Sequence, residues 1–347
     1  MNHAESAASS SGPVVVITGA SAGVGRATAI RFAREGAKIG LLARGRAGLE
    51  GAKADVERAG GQAIVIPTDV ADADAVEAAA AQVEATFGPI DVWIGVAMAS
   101  VFSPVKEMLA AEYQRVTEVT YLGQVYGAQS ALKRMLPRDK GAILLVGSAL
   151  AYRGIPLQSA YCGAKHAMQG FADSLRTELL HDKSNVTLTM IQMPALNTPQ
   201  FGWVKSRLPK KAQPVPPIFQ PEVAAEAIFF SWKNPRRELL VAFPTYEAVL
   251  GNKAAPEFAD WFLARTGFSS QQTDEPEDPN RPDNLYHPVD DAVDYGAHGT
   301  FDAQAKETSL MLEATMNRNA VGVAAGIGAL AIAAGGLLLW NRRGGNS

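Results

Sequence analysis

The chain has 347 residues, enough for one α/β domain with an appendage, and a composition of 47% hydrophobic and 19% charged residues excludes a wholly disordered or fibrous protein. A net charge of −3 offers no basic footprint for nucleic acid, and the single cysteine, Cys162, excludes an internal disulfide or a cysteine-rich zinc site. The five histidines include no pair at metal-ligand spacing on one helix face, so no metal site is expected.

Residues 1–12 form a polar, small-residue leader without the apolar run of a secretory signal. Val14-Val15-Val16-Ile17 then reads as a strand buried on both faces. A glycine-rich turn follows, with a helix around Arg26 to Glu35 that stops at Gly36. Strands at Lys38–Ala43, Ala63–Ile66, Asp91–Ala97, Gly141–Gly147 and Val186–Met193 alternate with helices near Gly48–Ala59, Asp72–Phe87, Ala110–Leu136 and Ser159–His181. A helix at Glu222–Trp232 and a strand at Glu238–Phe243 complete a seventh position. This alternation predicts a doubly wound parallel sheet of about seven strands with helices on both faces, a Rossmann fold, over residues 13–250.

The remainder departs from that rhythm. Pro199–Pro221 holds six prolines with Phe201, Trp203 and Phe219, which reads as a loop or short-helix insert forming a substrate lid. Residues 251–268 read as a helical extension. The stretch from Ser269 to Asp302 holds nine acids against one arginine, with four prolines, so residues 269–318 read as a mobile linker that could lie on the domain through Leu285 and Tyr286. Ala320 to Trp340 runs 21 residues without a charge, flanked by Arg318 and Arg342-Arg343; at about 1.5 Å per residue it matches a bilayer core of about 30 Å and is a candidate transmembrane helix. A buried helix of a soluble dimer is the other reading of that segment.

The chemistry sits at three places. Thr18-Gly19-Ala20-Ser21-Ala22-Gly23-Val24-Gly25 lies between the first strand and the first helix. There Gly19 permits a tight turn, Gly23 lets backbone approach a pyrophosphate, and Gly25 lets helix and strand pack closely. Past the second strand comes Arg44 where an NAD site would place an acid, so a guanidinium for a 2′-phosphate, and hence NADP over NAD, is expected. Finally, Ser148 follows a strand, and Tyr161 stands thirteen residues later with Lys165 one helical turn on, on the same face. A neighbouring ammonium together with an oxidised nicotinamide would lower the phenol's pKa, so Tyr161 can pass a proton to a substrate oxygen that Ser148 also binds.

Together these motifs resemble the short-chain dehydrogenase/reductase family over roughly residues 13–250. The resemblance implies catalytic roles for Ser148, Tyr161 and Lys165, and cofactor contacts from Gly19, Ser21, Gly23, Val24, Gly25, Arg44, Asp69, Val70, Tyr161, Lys165 and Thr198, with Pro194 beside the last. It implies an NAD(P)-dependent interconversion of alcohol and carbonyl, on a hydrophobic substrate if the lid and anchor are as read. It also implies a homo-oligomer through the helices at Ala110–Leu136 and Ser159–His181. The catalytic domain would face the cytoplasm, anchored through 320–340, or be cytoplasmic outright if that segment does not insert. Two positions depart from the family pattern: Gly95-Val96-Ala97-Met98 replaces Asn-Asn-Ala-Gly after the fourth strand, and Thr120 replaces a helix asparagine. A membrane-tethered dinucleotide sensor of low turnover is the competing reading. Cys162, His166 and His181 read as packing or surface residues.

Overall fold

The computed structural model describes residues 12–318. In chain order the elements of the first half are β1 (Val14–Thr18), α1 (Gly23–Ala33), β2 (Lys38–Ala43), α2 (Arg46–Arg58), β3 (Gln62–Pro67), α3 (Ala73–Phe87), β4 (Val92–Gly95), β5 (Val101–Phe102), α4 (Ala110–Thr117), α5 (Gly123–Met135) and β6 (Ala142–Ser148). They continue with α6 (Ser159–His181), β7 (Thr187–Met193), α7 (Gln200–Trp203), β8 (Lys205–Ser206), β9 (Lys210–Ala212), α8 (Pro221–Lys233) and β10 (Glu238–Leu240). After these come α9 (Phe243–Ala254), α10 (Pro256–Thr266), β11 (Gln272–Pro276) and α11 (Leu310–Met316).

Seven strands form one parallel sheet in the order β10-β7-β6-β4-β1-β2-β3. The β-branched run of β1 is buried along its whole length because strands pair with it on both sides and helices cover both faces. The chain reverses direction of winding between β1 and β4, and the carboxyl ends of the strands open there into a crevice. The helix expected over Ala110–Leu136 is interrupted at Glu118–Leu122, where the backbone widens into a π-turn around Thr120. The proline-rich insert holds the one-turn α7 and two short strands, β8 paired with β5 and β9 paired with β11.

Residues 269–318 correct the mobile-linker reading. This tail crosses the carboxyl edge of the sheet as a strap and is bonded to it throughout. Arg281 donates to the carbonyls of Gly202 and Val204, Asp283 pairs with Lys205 at 3.2 Å, and Tyr295 meets Trp203 edge-on at 5.0 Å. Further on, the Phe301 amide donates to Asn197 at 3.0 Å, Lys306 pairs with the Phe219 segment, and Leu312 enters the core between α1 and α8. His298 bridges Glu222 at 2.9 Å and Asp302 at 2.8 Å; burial opposes its protonation, but the two carboxylates raise its pKa. Composition misleads here because the acids are not solvated spacers: several face cations or helix amino ends. Leu285 is fully buried in the cluster that contains Val70, Val116 and Val119, whereas Tyr286 remains exposed. Among the described residues no helix is long and apolar enough to cross a membrane; the candidate span 320–340 lies outside them, as does the leader up to residue 11.

Leu285→Ala should lower unfolding free energy by about 2–4 kcal/mol, as for other buried leucines. A denaturant melt checks it, and a change near zero would return the tail to a solvated linker.

Candidate active site

The glycine turn closes as its spacing requires. Gly19 has φ +70°, and a side chain there would press on the Ala97 backbone at 2.8 Å; one at Gly25 would meet the Gly19 carbonyl. Gly23, at φ +56°, backs onto Thr198, which brings that residue to the amino end of α1. The helix starts without a side-chain cap. The Gly23 amide donates to the Gly296 carbonyl at 3.2 Å, while Val24 and Gly25, first-turn residues without intrahelical acceptors, line the crevice with Gly19 and Ser21. Free helix-terminal amides beside a cradle of glycines fit a dinucleotide pyrophosphate.

Arg44 stands at the end of β2 and lines the crevice, with the strap packed against it. Its terminal nitrogens donate to the carbonyls of Asn284, Leu285 (3.4 Å) and Tyr286 (3.0 Å). The guanidinium is thus engaged by three strap carbonyls, and position in sequence could not reveal a partner some 240 residues away. Asp69 pairs with Arg115 at 2.6 Å; burial opposes its ionisation, but that partner and the Ala71 amide hold the carboxyl below its ordinary pKa. Val70 is buried beneath it.

On the other side of the crevice, β6 ends at Ser148, whose Oγ accepts from the Leu150 amide at 3.2 Å. α6 carries Tyr161 and Lys165 onto the same wall, and all three residues line the crevice with Thr198 and Pro194. The Lys165 Nζ lies 5.5 Å from the Tyr161 ring centroid and donates to the Val146 carbonyl at 2.6 Å. Lys165 is 2% exposed, and this burial pushes its pKa down to about 7. Burial pushes the Tyr161 phenol upward, and the Ser148 hydroxyl pulls against it. The expected acidification of Tyr161 by Lys165 is therefore not a property of the protein alone. The ammonium faces the ring and a backbone carbonyl, and it pays a desolvation cost of its own.

The two departures from the family pattern have local replacements that the sequence did not announce. The Thr18 hydroxyl accepts from the amides of Val96 (3.1 Å) and Ala97 (3.2 Å), and the Gln124 amide donates to the Ala97 carbonyl at 2.9 Å. Gln124 can do so because Gly95 leaves room: a side chain there would collide with Gln124 Oε1. Thr120, fully buried, both accepts from the Ala99 amide and donates to its carbonyl at 2.8 Å, tying the π-turn to the loop after β4. All of these bonds run from side chains to loop backbone, which carries no sequence signal.

Beyond Tyr161 the crevice, of about 430 Å³, is walled by Met98, Leu150, Ile155, Phe201, Trp203 and Leu263. The lid aromatics are in place, with Phe201 edge-on to Phe102 and to Phe301. Cys162 is buried, and His166 bonds to the Cys162 carbonyl, so neither enters the crevice.

Comparison with known proteins agrees with this fold. A family model described as short chain dehydrogenase matches residues 13–207. An uncharacterized oxidoreductase, YxnA, of Bacillus subtilis is 31% identical over 275 residues, covering 79% of this chain and 77% of its own. A fatty acyl-CoA reductase of Acinetobacter baylyi is 33% identical over 229 residues, covering 65% of this chain and 75% of its own. The crystal structure of an alcohol dehydrogenase from Thermococcus sibiricus, complexed with 5-hydroxy-NADP, superposes with a TM-score of 0.57 at 29% identity, over 66% of this chain and 95% of that one.

Lys165→Met removes an amine held away from water and should raise the melting temperature at pH 7 by several degrees. The folded pKa of about 7 lies below the unfolded value of 10.5, so the charging penalty is complete below pH 7 and fades as pH rises to 10.5. The gap between variant and parent should therefore close over that range. A pH-independent gap, or a less stable variant, would contradict the burial argument.

Proposed function

Because the chain belongs to the short-chain dehydrogenase/reductase family, we propose that its crevice interconverts an alcohol and a carbonyl compound, with Tyr161 as the acid–base group. The observation that carries this reading is the convergence of Ser148, Tyr161 and Lys165 on one wall of a crevice whose far end is the glycine turn. A nicotinamide dinucleotide, when bound, supplies or takes up the hydride.

The chain's own residues do the rest. Gly19, Ser21, Val24 and Gly25 hold the pyrophosphate end through backbone and the amino end of α1, and Asp69 and Val70 border the adenine end. Thr198 and Pro194 border the nicotinamide end. In the reducing direction Tyr161 Oη donates its proton to the substrate oxygen while Ser148 Oγ donates a hydrogen bond to the same atom as charge develops. The burial that raises the phenol's pKa keeps it protonated in the free site but makes it a weaker acid, so the charge that enters with the cofactor and on Lys165 must offset it. In the oxidising direction the phenolate must form, and the positive charge of Lys165, once protonated in the loaded site, favours it. The Met98, Leu150, Ile155 and Leu263 wall favours a hydrophobic carbonyl or alcohol, and the Phe201–Trp203 lid, braced by Phe301 and Tyr295, keeps water from the reacting atoms.

Tyr161→Phe should leave dinucleotide binding intact and lower turnover by roughly 10²-fold or more, followed by nicotinamide absorbance over a panel of medium-chain and aromatic aldehydes and alcohols. Full turnover in the variant would remove the acid–base assignment. No turnover in the parent on any carbonyl, with binding retained, would favour a sensor.

A further inference from the structure

The end of β2 is where a dinucleotide site of this architecture discriminates between a ribose 2′-hydroxyl and a 2′-phosphate. In this chain no acid stands there, yet the structure places one there from the opposite end of the molecule. The strap runs across the amino end of α2, a helix whose N-cap, Gly45, offers no side chain. The Arg46 amide donates to Asp291 Oδ1 at 3.1 Å, the Ala47 amide to the Asp291 carbonyl at 3.1 Å, and the Gly48 amide to the Asp290 carbonyl at 3.0 Å. Asp290 itself is 8% exposed, and its carboxylate lies directly over Gly45 and Gly48. A side chain built at Gly48 would come within 2.7 Å of its Oδ2 and 2.9 Å of the Ser21 Cβ, so the carboxylate packs tightly on the helix end beside Ser21. Asp290, Val289 and Asn284 line the crevice together with Arg44 and Ser21. Whereas the Asp291 carboxylate caps the helix, that of Asp290 accepts no hydrogen bond from the described residues.

We propose that Asp290 is the cofactor-selecting residue: its carboxylate accepts a hydrogen bond from the adenosine ribose 2′-hydroxyl and excludes a 2′-phosphate, so the crevice takes NAD(H) in preference to NADP(H). The inference rests on the reading of the crevice as a dinucleotide site and reverses the preference that Arg44 leads one to expect. Three features act together. The first-turn amides of α2, the natural seat for a phosphate, are occupied by the strap. The terminal nitrogens of Arg44 are held by strap carbonyls. Asp69 and Arg115, also at this end, pair with each other at 2.6 Å, so the Arg115 guanidinium is already matched by a carboxylate. Ser21 and the Asp290 carboxylate are left as a hydroxyl and an acceptor, suited to a neutral diol.

Titration calorimetry of the full chain with NAD+ and with NADP+ tests this without reference to turnover. The parent should bind NAD+ at least roughly tenfold more tightly, and Asp290→Asn should weaken NAD+ by roughly tenfold while tightening NADP+, closing the gap. Asp290→Ser provides a second variant should the first melt early. The parent can also be tested by itself, with adenosine 5′-monophosphate expected to compete against NAD+ and adenosine 2′,5′-bisphosphate expected to fail. A parent that prefers NADP+, or an Asp290→Asn variant whose two affinities move equally, overturns the selection and leaves the oxidoreductase reading standing. Failure of the parent to bind either dinucleotide overturns that reading, and this inference with it.

Discussion

The amino ends of α1 and α2 point at the carboxyl edge of the sheet, and neither N-cap residue, Ala22 or Gly45, caps its helix with its own side chain, so satisfying their amides is the constraint on which the rest of this site depends. The glycine turn makes the first of these ends accessible by packing at Gly19 onto the Ala97 backbone after β4 and letting Gly25 of α1 pack onto Gly19. Its Gly23 amide is met by Gly296, and its next two amides are left toward the crevice. The second end is met entirely by Asp290 and Asp291. One strap thus distributes the donors of the carboxyl edge, keeping some for the chain itself and leaving others for an anionic ligand.

The opposite wall carries a different tension. Lys165 is held away from water with one hydrogen bond, to Val146, and its neighbour Tyr161 is likewise pushed toward its neutral form. A site in which both titratable groups favour neutrality is unfavourable for the protein alone and responsive to whatever charge enters the crevice. The insert and strap share the work of shielding that wall, since Trp203 stacks edge-on against Tyr295 and Phe201 against Phe301. Lid and strap therefore act as one cover, joined through aromatic edges and the Arg281 bonds to Gly202 and Val204.

The parts of this architecture that sequence made legible are those set by local rules. Val14–Ile17 followed by the glycine turn could only be a buried strand feeding a helix, and the alternation after it led to a seven-strand parallel sheet. The i, i+4 spacing of Tyr161 and Lys165 put them on one wall with Ser148. What escaped depends on partners far along the chain. Arg44 looked free because its acceptors are backbone carbonyls, which any sequence could supply. The acids of the tail looked like solvated spacers because a composition cannot show that Asp294 meets Arg26 or that Asp291 caps α2. Leu285 gave a hint, as an isolated leucine in an otherwise polar stretch, and it is the residue that anchors the strap in the core. Thr120 and Gln124 escaped because their function is a loop clamp rather than a motif.

The central claim is that the strap is a fixed wall of the crevice, and amide hydrogen exchange tests it most directly. In the free protein the amides of Ala47 and Gly48 should be protected along with residues 284–296, and adding dinucleotide should slow both regions further. Rapid exchange of both regions in the free protein, unaltered by dinucleotide, would mean that the tail does not wall the site and would contradict this account.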